Sequence, residues 1–387
     1  MHKEINSEKL PVKMWIDSIE SGAMEQVKNL ANYPFAFGHI VVLPDCHEGF
    51  GMPIGSVMAT KDVIIPNAVG VDIGCGMSAL RTNLHEIRKN DLKHIINNIG
   101  NKIPVGKNHN KQKQDGNLMP VYDISKTKIV KQEYESALRQ LGTLGGGNHF
   151  IEIQKGSDGF IWLMIHSGSR NVGHKVATYY NRLANNMMSK FDILIPKRVQ
   201  LAYLPLDMQE ATDYLREMNF CVAFAFANRK LMADKIKNIF ADTIKSVQFS
   251  DFINIAHNYA KEEKHFGKKV MVHRKGATSA FKGETGIIPG SQGSKSYIVE
   301  GLGNPESFKS CSHGAGRVMG RKEAIKRLNL KEEIEIMNRQ GIIHSIKSAK
   351  NLDEAVSAYK DINMIMKNQE DLVKILVELK PLAVIKG

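Results

Sequence analysis

The sequence predicts an α+β fold, in which strand-rich and helix-rich segments occupy separate parts of the chain. Short β-type runs separated by Gly and Pro dominate residues 38–82. Apolar residues at helical spacing dominate residues 174–250. No regular β-α-β alternation connects these regions, so a parallel doubly wound sheet is not expected. We expect one compact unit over residues 1–387, because neither an internal repeat nor a low-complexity linker divides the chain.

The first predicted element is an amphipathic helix over residues 12–31. The strands that follow correspond to the runs HIVVLP, GSVMAT, DVIIP and MSALRT. A helix is expected near residues 85–99, and the polar stretch 106–117, GKNHNKQKQDGN, is expected to be an exposed loop. Strands return at HFIEIQ and FIWLMI.

The second half of the chain begins with helices. Residues 209–244 are long enough for one bent helix or two consecutive helices. Their centre, FCVAFAFA, is apolar on all sides, which predicts deep burial. Strand and loop signals occupy residues 268–310, and helical patterns occupy residues 314–380 before the short terminal LAVIKG.

Composition restricts the setting of the protein. A hydrophobic content of 42% in 387 residues suffices for a large core. No window approaches 18 uninterrupted apolar residues, and the polar start MHKEINSEKLPVK lacks a signal-peptide core, so we expect a cytoplasmic protein without a membrane span. Four scattered cysteines without a C-x-x-C pair predict reduced thiols.

The charge balance favours polyanionic partners. Lys and Arg number 53 against 40 Asp and Glu, which gives a net charge of +13. Such a surface attracts nucleic acid. A basic proteome in a Lys-rich organism explains the same charge, so charge alone does not establish an RNA or DNA partner.

Histidines occur in stretches too rich in Gly, Ser or Asn to be ordinary core. These stretches are GGGNHFIE (His149), MIHSGSRNVGH (His166 and His174), AHNYA (His257) and CSHGAGR (His313). Each histidine alone is explained equally well as a hydrogen-bonded or solvated residue. Together with Asp72 and Cys75 of VGVDIGCGM, they form an oxygen, sulfur and nitrogen set that suits Mn, Zn, Fe or Co. A thiolate can bridge two ions, and metal pairs clamp the oxygens of a phosphoryl transfer.

Glycine-rich segments form a second group. TLGGGNHF and IIPGSQGSKSYIV offer successive N–H groups and hydroxyls that could cradle phosphate, although neither is a Walker or dinucleotide motif and both are also explained as ordinary turns. SHGAGRVMGRKEA predicts a helix that opens at Gly314, with His313 at its N-terminus and Arg317 and Arg321 one turn apart. His313 is the candidate nucleophile toward a nucleoside triphosphate. His149, His166 and His257 are interpreted as metal ligands.

Two further polar stretches have weaker interpretations. In LPDCHEGFGMPIG, at most two of the consecutive Asp45, Cys46, His47 and Glu48 can converge, because neighbours in an extended chain point to opposite faces. We interpret them as supports of the site or a wall of the substrate cavity. VHRKGATSAFKG concentrates Arg274, Lys275 and Lys282 in an expected loop, either solvated or in contact with RNA phosphate. Cys221 and Cys311 are expected to be packing residues.

Taken in order, eight motifs closely resemble the RtcB family of RNA-splicing ligases. They are PDCHEGFGMPIG, VGVDIGCGM, LGTLGGGNHFIE, HSGSRNVG, AHNYA, VHRKGAT, IPGSQGSKSYIV and SCSHGAGR. The terminal VIKG resembles that family's chain end, and the resemblance runs from about residue 43 to residue 387. It implies a single RtcB-like catalytic domain over residues 1–387, with mixed or antiparallel sheets surrounded by helices.

The resemblance also implies an activity and its residues. Enzymes of this family join an RNA 3′-phosphate or 2′,3′-cyclic phosphate end to a 5′-hydroxyl end, using GTP and Mn²⁺, through a guanylylated histidine and an activated RNA 3′-end. His313 matches that histidine. The implied ligands of two Mn²⁺ ions are Asp72, Cys75, His149, His166 and His257, with Cys75 as the bridge. The implied GTP-binding residues are Asn148, His149, Phe150, Ile151, Glu152, His257, Asn258, Pro289, Gly290, Ser291, Gln292, Ser296, His313, Gly314, Ala315, Gly316, Arg317 and Lys386.

The same resemblance implies RNA ends as substrates and an archease-like activator as a partner. It also implies that the protein is a monomer. Gln292 stands where many relatives carry Met, and Ser279 stands where a basic residue is expected, so nucleotide and RNA preference are open. The main rival interpretation is a metal-dependent phosphoesterase or cyclic phosphodiesterase that acts on RNA ends without nucleotidyl transfer. A third is a non-catalytic RNA-binding protein.

Overall fold

A computed structural model describes all residues from 1 to 387. The strands are β1 (Lys3–Ile5), β2 (Val12–Met14), β3 (Ala36–His47), β4 (Ile54–Thr60), β5 (Val63–Ile64), β6 (Gly76–Thr82), β7 (Phe150–Gly156), β8 (Ile161–Ser167), β9 (Leu204–Pro205), β10 (Phe249–Ala256), β11 (Asn258–His265), β12 (Lys268–Lys275), β13 (Ala277–Ser279), β14 (Thr285–Ile288), β15 (Ser296–Gly301), β16 (Ser310–Ser312) and β17 (Val373–Lys386). The helices are α1 (Ser21–Ala31), α2 (Pro66–Val69), α3 (Lys89–Lys102), α4 (Ile129–Gln140), α5 (Arg170–Met187), α6 (Gln209–Thr243), α7 (Arg321–Arg327), α8 (Leu330–Arg339) and α9 (Ile362–Lys367).

Two large sheets organise the fold. The first has six strands in the order β1-β2-β3-β4-β12-β11, and only its β2–β3 pair is parallel. The second has seven strands in the order β10-β6-β8-β7-β17-β15-β14, and every pair is antiparallel. The fold is therefore α+β, as predicted, with one mixed and one antiparallel sheet.

The chain passes from the second sheet to the first at a single residue. His257 lies between β10, an edge strand of the second sheet, and β11, an edge strand of the first. Its backbone N–H donates to the carbonyl of Cys75 at 2.8 Å, which closes the junction. Residues at this junction can therefore receive side chains from both sheets.

Helix α6 is one continuous helix of 35 residues that packs beneath the second sheet. It buries Phe220, Cys221 and Phe224 in one hydrophobic cluster and Met232, Ile236 and Phe240 in another. Within FCVAFAFA, four residues are buried and four are partly exposed, so burial is less uniform than predicted. The helix separates two core clusters instead of crossing the middle of one.

Several helices and strands differ from the sequence prediction in their bounds or type. Residues 12–14 form strand β2 beside β3, and the first helix begins only at residue 21, so the helix predicted over 12–31 was wrong in its first half. Helix α4 and strands β10 and β11 were not anticipated. Residues 373–380 were expected to be helical, but they belong to the 14-residue strand β17, which pairs with β7 and β15 on its two sides. Pairing on both edges outweighs the local helical pattern there.

The cysteines are all unpaired and buried. Cys221 and Cys311 lie in hydrophobic clusters, as expected for packing residues. No helix has the length and apolarity needed to cross a membrane.

Candidate metal centre and nucleotide cavity

The predicted metal ligands meet where neighbouring strands of the second sheet begin or end. Cys75 immediately precedes β6, His149 immediately precedes β7, and His166 lies on β8 between these two strands. The register of β8 with β6 and β7 places His166 beside the other two. His257 arrives from the junction between the sheets. Gly74 has a positive φ of 73°, and a Cβ there would lie 2.8 Å from Val222 Cα, so the tight turn before Cys75 requires glycine.

The donor atoms form one series of contacts around the sulfur of Cys75. Cys75 Sγ lies 3.4 Å from His149 Nε2 and 3.3 Å from His166 Nε2. His149 Nε2 lies 3.1 Å from Asp72 Oδ2, and His166 Nε2 lies 3.4 Å from His257 Nε2. The structure thus brings together all five residues that the sequence suggested as ligands. Asp72 thus joins the cluster through His149, and His257 joins it through His166.

Backbone contacts fix which ring nitrogens are free to bind an ion. His149 Nδ1 lies 2.9 Å from the carbonyl of Leu144, and His166 Nδ1 lies 3.1 Å from the carbonyl of Asn148. A carbonyl only accepts, so each Nδ1 carries the proton and donates it. Each Nε2 therefore presents a lone pair toward Cys75, the arrangement that orients histidine ligands in metal sites.

The donor set fits divalent ions. Neighbouring ligand atoms around an ion with bonds of about 2.0–2.3 Å lie roughly 3.0–3.7 Å apart, and the separations around Cys75 run from 3.1 to 3.4 Å. The carboxylate, thiolate and imidazole donors suit a transition ion better than Mg²⁺ or Ca²⁺. The donor atoms of Cys75, His149 and His166 lie within 4.8 Å of one another, so these residues fit a divalent metal ion.

Without a bound cation, the surroundings of Cys75 disfavour its thiolate form. Burial raises the pKa of the Cys75 thiol well above its ordinary value, and the Asp72 carboxylate raises it further. Arg229, fully buried on α6, acts in the opposite sense and donates to the carbonyls of Gly74 at 3.1 Å and Ser167 at 2.8 Å. A bound divalent ion would deprotonate the thiol outright. Arg229 was not anticipated, since nothing in the pattern of a buried helix distinguishes it.

Imidazole charge is disfavoured in the same place. Burial lowers the pKa values of His166 and His257 well below the ordinary histidine value, and neighbouring imidazoles lower them further. Both rings are therefore neutral near pH 7, the form that binds metals. His257 Nδ1 is buried without a hydrogen-bond partner.

His313 stands next to this cluster and is held by a buried carboxylate. Its ring centroid lies 4.8 Å from that of His257. Asp45 Oδ2 lies 2.6 Å from His313 Nδ1 and also accepts the backbone N–H groups of His313 at 3.0 Å and Gly314 at 3.2 Å. Burial alone would raise the pKa of Asp45, but the charge and hydrogen bond of His313 lower it below its ordinary value. An ionised Asp45 therefore fixes the His313 proton on Nδ1 and leaves Nε2 with its lone pair.

A cavity of about 950 Å³ opens beside His313. Most predicted nucleotide-binding residues line it, namely Asn148, Phe150, Glu152, Pro289, Gly290, Ser291, Gln292, His313, Gly314, Ala315, Gly316, Arg317 and Lys386. Its walls also include His166 from the metal cluster and His47 and Glu48 from the stretch that the sequence suggested as a wall. The cavity therefore connects the metal cluster to the glycine-rich segments.

Other predicted nucleotide-binding residues do not line this cavity. Ile151 is fully buried in a hydrophobic cluster on the opposite face of β7, because alternate strand residues point to opposite faces. Ser296 supports the loop at Gly290, whose N–H it accepts at 3.2 Å. Asn258 donates to the carbonyl of Asp72 at 3.2 Å and accepts the N–H of Gly276 at 2.7 Å, so it braces the metal-site turn. His149 and His257 face the metal cluster.

A buried carboxylate gathers the cations of the cavity. Glu354 Oε1 lies 2.9 Å from Arg321 Nε and 3.2 Å from Arg317 Nη1, and its Oε2 lies 3.5 Å from Lys386 Nζ and also accepts the Tyr359 hydroxyl. Glu354 is 1% exposed. It holds three positive charges at one wall of the cavity, where an anionic ligand would meet them. The sequence offered no signal for Glu354, which ends a short 3-10 helix, Ala349–Glu354, outside every motif.

Two sequence interpretations need correction here. Residues 314–320 are not helical, and α7 begins at residue 321, so His313 is not at a helix N-terminus and Arg317 is not on that helix. Gly316 has a positive φ of 71°, and a Cβ there would overlap the Asp45 carbonyl. The turn after His313 therefore requires glycine at this position. Arg274 and Lys275 lie buried on β12 and not in a solvated loop, since Arg274 pairs with Glu263 at 2.5 Å.

Glu152, a carboxyl group on the cavity wall, is deeply buried. Burial raises the pKa of Glu152 to about 8, with Lys386 opposing the shift. Lys386 Nζ donates to the Asn148 carbonyl at 3.1 Å and lies 5.3 Å from the centre of the Phe150 ring. The pairing of β17 with β7 sets Lys386 opposite Phe150 and so delivers its ammonium to the cavity.

The fold and the site together define an α+β protein with a candidate metal centre around Cys75, beside a cation-lined, glycine-rich cavity. Comparison with known proteins gives the family. The family model described as "tRNA-splicing ligase RtcB" matches residues 26–123 and 120–387. This chain belongs to the RtcB family, as the motifs indicated.

Relatives from bacteria and archaea match over nearly their whole length. The chain is 40% identical to "RNA-splicing ligase RtcB" of Escherichia coli strain K12, over 99% of each chain. It is 34% identical to "tRNA-splicing ligase RtcB" of Nanoarchaeum equitans, covering 95% of this chain and 92% of the relative. It is 30% identical to the protein of the same name from Methanococcus maripaludis, covering 97% and 93%.

Proposed function

We propose that this protein is a GTP- and Mn²⁺-dependent RNA ligase. It joins an RNA 3′-phosphate or 2′,3′-cyclic phosphate end to a 5′-hydroxyl end, in tRNA splicing or RNA repair. The observation that carries the proposal is the contact of His313 with Asp45 on one side and with the metal cluster on the other. A phosphoesterase requires the metal cluster but no covalent intermediate on His313, so a nucleotide carried by this residue distinguishes the two activities.

The first step is attack by His313 on GTP. With its Nδ1 proton held by Asp45 at 2.6 Å, the ring presents the Nε2 lone pair as nucleophile. A bond forms from Nε2 to the α-phosphorus, and the bond from that phosphorus to the bridging oxygen breaks, which releases pyrophosphate. The ring retains its Nδ1 proton and becomes cationic, and the Asp45 carboxylate stabilises this charge. Two divalent ions held by the residues around Cys75 would supply charge that neutralises the phosphates near the reacting group.

The later steps pass the nucleotide to RNA. An RNA 3′-phosphate oxygen displaces His313 from the guanylyl phosphorus and gives an activated 3′-end. The 5′-hydroxyl then attacks the RNA phosphorus and GMP leaves. Hydrolysis of a cyclic phosphate must precede these steps. The cations held by Glu354 and the net charge of +13 supply the positive field that such polyanionic substrates need.

Nucleotide binding is assigned to the cavity of about 950 Å³, a size that suits a nucleotide. Glu152 and Lys386 lie on its wall, and Gln292 is 5% exposed, with its Nε2 donating to the Glu354 carbonyl at 2.6 Å. We assign two Mn²⁺ ions to Asp72, Cys75, His149, His166 and His257. We further propose that the chain acts as one catalytic domain and as a monomer in the cytoplasm, with an archease-like activator.

Labelled nucleotides test this function. The protein is incubated with Mn²⁺ and each α-labelled nucleoside triphosphate, then run on a denaturing gel. GTP should leave a covalent label that is lost in His313→Ala, while the bound metal in that variant, measured by elemental analysis, stays at the wild-type level. A protein that releases phosphate from RNA ends but never carries the label would instead be the phosphoesterase.

A further inference from the structure

The side chain of Phe50 is exposed at the cavity that contains His313. Its exposed fraction is 74%, against 51% for Phe266 and 40% for Phe252, the other strongly exposed phenylalanines. It lies between β3 and β4 and lines the cavity together with His47 and Glu48. Single exposed apolar residues are common on protein surfaces, so exposure alone is weak evidence that Phe50 binds a ligand. The contacts that hold the surrounding loop are stronger evidence.

Several donors fix the backbone that presents this ring. The Phe50 carbonyl accepts from Lys275 Nζ at 2.7 Å, from the N–H of Met52 at 2.9 Å and from Asn67 Nδ2 at 3.4 Å. Lys275 is 7% exposed and its remaining contact is the carbonyl of Asn67 at 3.1 Å. Burying an ammonium group costs free energy unless it makes such bonds. This lysine therefore serves to hold the loop, and no carboxylate pairs with it.

The preceding residue of the loop is held equally firmly. Gln26 of α1 accepts the N–H of Gly49 at 3.1 Å and donates to its carbonyl at 2.5 Å. Gly51 has a positive φ of 72°, and a Cβ there would lie 2.7 Å from the carbonyl oxygen of Gln200. The loop is thus fixed from both sides while the Phe50 ring makes little contact with the protein. A rigid backbone with an exposed ring is pre-organised for a partner, because little entropy is lost on binding.

Cations border the same cavity. Arg321 has a side chain that is 51% exposed, Lys322 is exposed, and both line the cavity with Phe50. An exposed aromatic ring combined with positive charge is the arrangement by which proteins bind single-stranded nucleic acid, with bases stacked on the ring and phosphates near the cations. Carboxylates such as Glu48 also line this cavity, so a neutral flat base fits the ring better than an acidic peptide would.

We propose that the Phe50 ring stacks on the terminal nucleobase of an RNA end and positions that end toward His313. The proposal rests on the proposed ligase function, since it concerns the RNA substrate of the same cavity. Phe50 acts on the substrate by stacking and takes no part in bond making. Phe50 is not among the residues assigned to GTP, which include Phe150, Glu152 and Lys386, so labelling of His313 by GTP is expected to persist without the ring.

The test compares Phe50→Leu, Phe50→Ala and Phe50→Trp with the wild type. Leu keeps the apolar bulk without a π face, and Trp enlarges that face. Loss of one base stack corresponds to about a 5- to 150-fold rise in KM for RNA in the Leu and Ala variants, while Trp stays at or below the wild-type KM. Labelling of His313 by GTP should be unchanged in all three. Phe252→Leu, a half-exposed phenylalanine outside the cavity, is the matched control and should leave both measurements unchanged.

Abasic substrates identify the stacked base. Oligonucleotides lacking the base of the terminal nucleotide, at the 3′-phosphate end or at the 5′-hydroxyl end, are compared with intact ones. At the stacked end, the abasic RNA should show the raised KM already in the wild type, with no further rise in Phe50→Leu. The proposal is overturned if Phe50→Leu seals intact RNA with the wild-type KM, if neither abasic end removes the effect, or if GTP labelling weakens in parallel.

A separate measurement distinguishes failure of the ligase function from failure of the stacking role of Phe50. If the wild type is not labelled by GTP, fluorescence anisotropy with a 3′-phosphorylated oligonucleotide still compares wild type with Phe50→Leu. Weaker binding by the variant would keep the stacking role without the ligase. Equal binding, or no binding by either protein, would remove it.

Discussion

The contact between Asp45 and His313 gives the sharpest prediction for the chemistry. In Asp45→Asn, the side chain keeps its shape and an acceptor oxygen but loses its charge. Asp45 is fully buried, and its Oδ2 serves three N–H donors at 2.6, 3.0 and 3.2 Å. The amide therefore still positions the loop at Gly314, while the cationic ring formed on nucleotidyl transfer is left without its counter-charge.

The magnitude follows from burial. Removing one partner of a buried charged pair costs about 3–5 kcal/mol, and about 1.4 kcal/mol corresponds to a factor of ten in rate. Covalent labelling of His313 by GTP should slow by roughly 10²- to 10⁴-fold in Asp45→Asn. Metal content should be unchanged, since Asp45 contacts no residue of the cluster around Cys75.

Single-turnover labelling with α-labelled GTP, quenched over time, measures this rate directly. Asp62→Asn is the matched control, because it makes the same chemical change at an exposed turn with a φ of 60°, a conformation that Asn also adopts. Wild-type labelling by Asp45→Asn with a normal metal content would refute the role given to the carboxylate.

Three further predictions concern the metal, the nucleotide and stability. Cys75→Ser should lose most of its bound Mn²⁺ on dialysis, measured by elemental analysis with circular dichroism as the folding control, and full retention would argue against the bridge. Gln292→Met should alter the apparent GTP requirement and leave the metal content intact; equal GTP dependence in both proteins would reject that idea. Burial lowers the pKa of Lys275 to about 7, so between pH 7 and 10 the unfolded chain binds the extra proton. In urea unfolding, the wild type should therefore gain about 1 kcal/mol per pH unit over Lys275→Met in that window, and a constant difference would contradict it.

The convergence of Asp72, Cys75, His149, His166 and His257 was the part of the candidate site that the sequence predicted best. These residues come in short polar motifs at strand ends, where residue type alone restricts the chemistry. The contacts among them could not be predicted, because they depend on the β6-β8-β7 order and register. The role of Asp45 was only half anticipated: the stretch was interpreted as a support or a wall, and its 2.6 Å contact with His313 spans 268 residues of chain.

Charged residues were the hardest to interpret. Arg274 and Lys275 look like a solvated basic run in sequence, yet both are buried on β12 because their partners, Glu263 and the Phe50 carbonyl, come from distant segments. Glu354 carries no motif and gains its importance only from the three cations around it. Local patterns specify which elements form, while buried charge pairs depend on tertiary contacts that a single sequence does not display.

Strand β17 has a consequence for biosynthesis. It fills the middle of the seven-stranded sheet between β7 and β15, yet it is translated after every other strand of that sheet. A nascent chain on the ribosome therefore holds the sheet as a four-stranded and a two-stranded part, each with an open edge able to pair with other chains. Chaperone protection during synthesis matters for such a topology, and a ribosome that stalls before residue 373 leaves a product prone to aggregation.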